Sequence, residues 1–422
     1  MSWNTLRQYP GKLIPIMLSL LVIQASSAMA QVSLEQALRQ DSVQKGLQHI
    51  DSRRAAIAQS LVEIGGIISP SGQEHRRAQA VAERMRAMGL AQVRVDETPN
   101  AIGIIPGRSG KAVIFIATLD DLATVAAHQK EAGTMPRIDG DRVVGPGTNT
   151  SLVTAAMLAA AEALKQNDIM PEHDLVFAAV AQEETGLVGM KMVYEEYKDR
   201  AVGFVDILGD GRSISYGAIV IHWWKVIASG PGGHSLRGGL PNVNQAIGRS
   251  VDQILQLPHP KEHSDERAVI NISMLNSGAV YNHKPETGWF SLDIRSMDAA
   301  IVEDIEQKVA EILKQVASDT QIELKMEPFQ LTPGGQIPGA RESVLVTTAE
   351  AISKHLGFEK VRVSNMGSSN MNVAIGGGTP AIGLGGGRGG RRGYPDEWAD
   401  IPVMLRTAKH VLLLAATLGE GK

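Results

Sequence analysis

The stretch Leu175 to Met190, LVFAAVAQEETGLVGM, constrains the fold more than any other in this chain. The apolar run Leu175 to Val180 has the length and composition of a buried strand, and Thr185-Gly186 then turns the chain into a helical segment. Adjacent side chains at a strand end point opposite ways, so of Glu183 and Glu184 one can hold a cation while the other faces a water. A solvated acidic loop would carry the same pair, so its meaning depends on the rest of the chain.

The rest repeats the theme. Residues 33–64 are periodic as helices, Ser69-Pro70-Ser71-Gly72 breaks the chain, and Glu74 to Met88 reads as a helix. Strands are expected over 93–95, 101–105 and 112–117, the last running into Thr118-Leu119-Asp120-Asp121. A Gly-Pro-Gly turn at 145–147 precedes an Ala-rich helix over 152–165. After the Glu183-Glu184 turn come a helix over 187–198 and a strand over 203–208 that ends in Asp210-Gly211. Strands alternating with helices indicate an α/β layered domain. Acidic residues just past strand carboxyl ends lie where ligands bind in such sheets.

The pattern changes near Ser215. Strands over 217–229, 268–275, 287–295 and 321–328 and helices over 244–255 and 300–317 form a βαββαβ order, a compact two-layer unit inserted in the first domain. From about 339 the α/β pattern resumes, with a Gly-rich loop at 383–393 and a closing helix over 399–418. The expected domains are 31–216, 217–332 and 333–422.

Residues 1–30 read as a signal peptide: Arg7 and Lys12 ahead of the apolar run Leu13 to Ile23, then Ala28-Met29-Ala30 before Gln31. The expectation is a periplasmic or secreted protein with no membrane span after cleavage; whether the segment is cleaved or stays as an anchor is open. A net charge of -4 gives no basic surface for nucleic acid. The chain has no cysteine, so disulfides and thiolate metal sites are excluded and any metal must use His, Asp or Glu.

This order resembles the dimeric two-zinc exopeptidase and aminoacylase family, which includes glutamate carboxypeptidase, peptidase T and succinyl-diaminopimelate desuccinylase. Glu183-Glu184-Thr185-Gly186 resembles that family's Glu-Glu motif, Asp210-Gly211 its aspartate ligand, and Gly230 to Ser235 (GPGGHS) the signature of its inserted domain. Asn282 with Pro285, Asp293-Ile294-Arg295 and Asp396-Glu397-Trp398 resemble three later segments. The resemblance implies an α/β/α sandwich of zinc-exopeptidase type carrying a βαββαβ dimerisation domain, and a homodimer. It implies Glu183 as general base, Glu184 and Asp210 as metal ligands with Asp120 beside them, and His234, Asn282 and Arg295 as substrate-binding residues. The substrate would be a small molecule or peptide bearing a carboxylate.

The metal positions depart from the family pattern. Where the resemblance implies the first histidine, the bridging aspartate and the last histidine, this chain has Thr118, Asn149 and Gly393. Asp120, Glu184 and Asp210 offer only oxygen, enough for one divalent ion (Zn, Mn or Mg) but not for a zinc pair. Bound zinc brings the pKa of water from ~15.7 to ~7, and without that help Glu183 would face a poor nucleophile. Arg388, Arg391 and Arg392 fill the loop that should carry the last histidine, beside Tyr394. They are either a solvated basic loop or cations that pair with Glu184 or Asp210. Thr118, Asn149, Arg391, Arg392 and Tyr394 are therefore expected to line the site. His234, Asn282 and Arg295 each have a structural alternative: capping a turn, satisfying backbone, and pairing with Asp293 or Glu286. Three functions stay open: a hydrolase of amide or peptide bonds with a remodelled metal site, a silent relative binding a carboxylate ligand or a protein, and metal-free chemistry using Glu183.

Overall fold

The computed structural model describes residues 33–260 and 267–419; the expected leader at 1–30 lies outside the described residues. An eight-stranded sheet forms the centre of the main domain. Its middle is four parallel neighbours in the order Asp174–Val180, Ala112–Thr118, Ala201–Ile207 and Ala381–Gly385. Strands buried on both faces read as continuous apolar runs, and these do. Val113, Phe115 and Ala117 pack towards one helical layer, while Ile114 and Ile116 pack towards the other. Phe115 and Phe177 stack with centroids 5.5 Å apart.

The Ala-rich helix Thr148–Gln166 and the closing helix Ile401–Leu418 lie together in the first layer. Ile401–Leu418 is long and apolar enough to cross a membrane, the only such helix among the described residues, yet most of it is buried in this core. The helix Val188–Tyr197 lies in the second layer. The 33–64 region forms three helices, Leu34–Leu38, Asp41–Ser52 and Arg54–Gly65. Among the elements without a counterpart in the sequence reading are the helix Ala123–Ala132, which buries only Val125, Ala126 and Gln129, too small a face to leave a clear apolar period, and the central strand Ala381–Gly385, which overlaps the stretch read as a Gly-rich loop.

The inserted unit is a five-stranded antiparallel sheet. Val220–Ser229 pairs with Thr287–Ser296 on one side and Glu323–Thr332 on the other. Helices Val243–Leu255 and Ala299–Thr320 cover the face that carries Val226, Ala228, Phe290 and Leu292. Strand alternation sends Trp223, Lys225, Trp289 and Arg295 to the opposite face. The expected strand over 268–275 is two short strands, Ala268–Asn271 and Leu275–Ser277.

Candidate active site

All four central parallel strands deliver a polar group at their carboxyl ends. Thr118 ends one, Glu183 and Glu184 follow the second, Asp206 sits near the end of the third, and Arg388 follows the fourth. This is where an open α/β sheet places its ligand crevice.

The glutamate turn is built by two buried carboxylates. Asp120 accepts from the backbone N–H of Glu183 at 2.9 Å and of Glu184 at 3.1 Å, and from Ser71 Oγ at 2.6 Å. Glu74 accepts from the N–H of Gly72 at 2.8 Å and of Gln182 at 3.0 Å. Gln182 is held at φ 54°, a left-handed conformation that non-glycine residues reach only when their surroundings impose it. Beneath the turn, fully buried Arg77 donates to Leu119 O at 2.7 Å, to Asp121 at 2.7 Å and to Ile67 O. Burial pushes Asp121 up to about 6, against the pull of Arg77.

Glu183 is pushed up to about 8, first by burial and then by the charges of Glu184, Asp206 and Asp120, with Arg392 opposing. Glu184 is also raised by burial, while Arg392, its ion-pair partner, holds it down. Burial raises Asp206 to about 6, against hydrogen bonds from Ser369, Asn370 and the Met371 N–H. Arg388 lies among these carboxylates. Burial and neighbouring Arg392 lower its pKa, and Glu183, Asp206 and Glu184 raise it.

A backbone frame holds the arginine loop. Glu397, fully buried, accepts from the N–H of Gly147 at 3.1 Å, Asn149 at 2.9 Å and Gly393 at 3.0 Å. Gly389 and Gly390 pair with Ala399 and Trp398, and Arg388 O accepts from Asp400 N at 2.9 Å. Gly389, at φ 149°, lies so close to Trp398 O that a Cβ would collide with it. Gly385, Gly386 and Gly390 of the same loop are also close-approach positions.

The structure sorts the expected residues. Glu183, Glu184, Asp120 and Arg392 come together. Thr118 joins them indirectly: its hydroxyl accepts from Asn370 Nδ2 at 3.3 Å, and the same amide lies 3.5 Å from Asp206. Asn149 is buried at a helix start and turns its amide towards Trp398 O, 3.4 Å away. Asp210 is not brought to the cluster. It is buried beside Arg406 at 3.2 Å and Arg212 at 3.6 Å and accepts from Gly387 N at 3.2 Å, whereas Asp206 lies near Asn370 and the Met371 N–H. Arg391 and Tyr394 also turn aside: Arg391 chelates Asp396 at 3.0 Å and stacks on exposed Tyr394, 4.2 Å from the ring centre.

The trio expected to bind substrate is split. His234 Nε2 and Asn282 Nδ2 are 3.0 Å apart beside the short pairing of Gly233–His234 with His283–Lys284. Arg295 lies at the other end of its strand, paired with Asp293 at 2.9 Å, on the wall of a cavity of about 480 Å³ that includes Trp223, Trp289 and Phe329. Trp224 instead points inward, donating to Glu306 at 2.7 Å, and His222 meets the same carboxylate at 2.6 Å.

A divalent ion does not fit the donors present. Asp120 spends both oxygens on backbone N–H groups and Ser71, Glu184 is ion-paired, and Asp210 lies elsewhere. Among the described residues no three His, Asp or Glu side chains assemble into a metal-holding group.

The sequence reading missed Asp206, Glu74 and Asn370. Asp206 had a signal: a lone charge inside the apolar strand Ala201–Ile207, where a burial cost demands a reason. Glu74 and Asn370 had none, because their partners are distant in sequence.

The family profile described as Peptidase family M20/M25/M40 matches residues 123–417. The chain belongs to this peptidase family. Its fold is similar to that of the aminopeptidase PepT from Bacillus cereus, with a TM-score of 0.72 and 19% identity over 87% of this chain and 99% of that one. A tripeptidase from Staphylococcus aureus follows at 0.70 and 18%, covering 86% and 97%. A dinuclear metal-binding M20 peptidase from Bacillus subtilis gives 0.65 and 14%, covering 88% and 100%. No curated protein matches.

Proposed function

We propose that this M20-family hydrolase acts on an amide or peptide bond of a small, carboxylate-bearing substrate, through a site remodelled away from the two-metal arrangement. The observation that carries the reading is Glu183: partly exposed, at the mouth of the parallel strands, and clamped through its own turn by Asp120 and Glu74. In its ionised form, which predominates above about pH 8, a carboxylate fixed in that crevice can position a water and take its proton. The Arg388 guanidinium beside it is suited to meet charge that develops on the carbonyl oxygen. Peptidases and a tripeptidase among the structural relatives support peptide-like substrates.

The reading extends to an exported homodimer. The signal-like residues 1–30 support export, and amino-terminal sequencing of the secreted chain should begin at Gln31. His234 and Asn282 pair with each other at the surface of the inserted domain, which favours their use against a second copy; a chain that sediments as a monomer speaks against this.

Turnover of dipeptides and N-acyl amino acids by purified protein, with and without chelator, tests the core claim. Turnover that survives chelation and disappears in Glu183→Gln supports it; turnover abolished by chelation, or none on any of these substrates, overturns it. A second reading, binding without turnover, draws on the Glu184–Arg392 pair, which occupies one of the two glutamates. Calorimetric binding of the same compounds without product would favour it.

A further inference from the structure

The loop 385–393 reaches the carboxylate cluster with cations of its own. Arg392 forms an ion pair with Glu184, and Arg388, three residues past the end of the strand Ala381–Gly385, is near enough to Glu183, Asp206 and Glu184 for their charges to act on it. Asn370 bridges Thr118 and Asp206 with one amide nitrogen. These contacts fall at the positions for which the family resemblance implies metal ligands: Thr118 for the first histidine, Glu184, and the loop of the last histidine. We infer that the Arg388 and Arg392 guanidiniums and the Asn370 amide stand in for the family's metal pair, so that this chain neutralises Glu183, Glu184 and Asp206 internally and assembles its site without a divalent ion.

Three features support this. Carboxylates gathered in a half-buried crevice need opposite charge close by, and a planar guanidinium supplies it with directed donors. The loop is fixed by Glu397 and by pairing to Trp398 and Ala399, so the guanidiniums are presented by rigid backbone rather than by a free side-chain tether. Finally, the third arginine is diverted: Arg391, at φ 58°, turns outward to Asp396 and Tyr394, leaving two cations directed inward.

The inference rests on the family reading but not on turnover, and its test measures no catalysis. The full-length chain is incubated with excess Zn²⁺ or Mn²⁺, desalted and subjected to elemental analysis, and its Tm is recorded with and without chelator. No stoichiometric ion and a chelator-independent Tm are expected; one or two retained ions with a Tm that falls on chelation overturn the inference, whatever happens to any variant. Arg392→Ala is expected to lose a few degrees in Tm, to regain them with methylguanidinium but not with equal sodium chloride, and to acquire a Tm rise with Mn²⁺ that the parent lacks. Equal responses of parent and variant to methylguanidinium overturn it. Arg392→Lys, which keeps the charge, should retain most of the parent's Tm; a loss as large as that of Arg392→Ala counts against a charge role.

Discussion

The crevice at the end of the central sheet and the outer face of the inserted sheet both carry arginines paired with carboxylates, yet the two are different kinds of site. In the crevice Arg77, Asp120, Asp121 and Asp206 are buried, and Arg77, Asp120 and Asp206 meet partners far away in the chain. On the inserted domain His234 and Asn282, 48 positions apart, pair with each other at the surface beside a two-residue strand pairing, and Arg295 pairs with Asp293 two residues away. A buried charge must be answered within the fold, whereas an exposed one can exchange its partner for a ligand at little cost. The crevice is therefore prearranged, and the inserted face is free to respond to what binds it.

Substitutions sharpen this contrast. Arg77→Met should be the most damaging, costing about 3–5 kcal/mol because Asp121 is left buried and unpaired; urea unfolding would show it, and a loss near zero would break the comparison. Asp120→Asn comes next. It sets an amide group against two backbone donors and should cost about 1–3 kcal/mol, while also loosening Glu183, read as weaker binding of a carboxylate ligand. Arg295→Ala should cost less than about 1 kcal/mol, since its pair with Asp293 is half-exposed. His234→Ala should stay within about 0.5 kcal/mol of the parent in the same assay, with any loss appearing in ligand affinity or dimer formation.

The pH dependence separates the regions further. Glu183 has a folded pKa of about 8 against an ordinary 4.5, so the stability it contributes is fully present below about 4.5 and is lost as pH rises through 8. Asp206 and Asp121, both raised from 3.8 to about 6, act with the same sign over a lower window. The parent Tm should therefore fall between pH 5 and pH 8.5, and Glu183→Gln should fall less across the upper part of that range, by a few degrees. A Tm rising with pH over this window would contradict the raised pKa of Glu183.

Much of the fold was legible because it rests on local periodicity. The apolar runs 101–105, 112–117 and 175–180 became strands within a residue or so of their expected bounds, and the helix over 244–255 did likewise. The short strands Ser213–Ser215 and Arg362–Ser364 escaped, because three residues carry too little alternation to be seen. At the site, Glu183 and Glu184 were legible from a strand followed by a turn. Asp206 was hidden inside an apolar run, and Asp210 drew attention because Asp-Gly looked like a strand-end ligand when its carboxylate serves Arg406 and the Gly387 N–H instead.

Sequence by itself determined the layered α/β architecture, the inserted sheet and the acidic turn at residues 183–184, and it put threonine at 118 and glycine at 393. Only the tertiary structure decided which charge answers which. Glu184 meets Arg392, 208 positions along the chain, and Asp206 meets Asn370 at a separation of 164. Local pattern encodes helices and strands because their hydrogen bonds are short-range or repeat regularly, but an ion pair between distant loops depends on how the whole sheet and its Glu397-pinned loop come together.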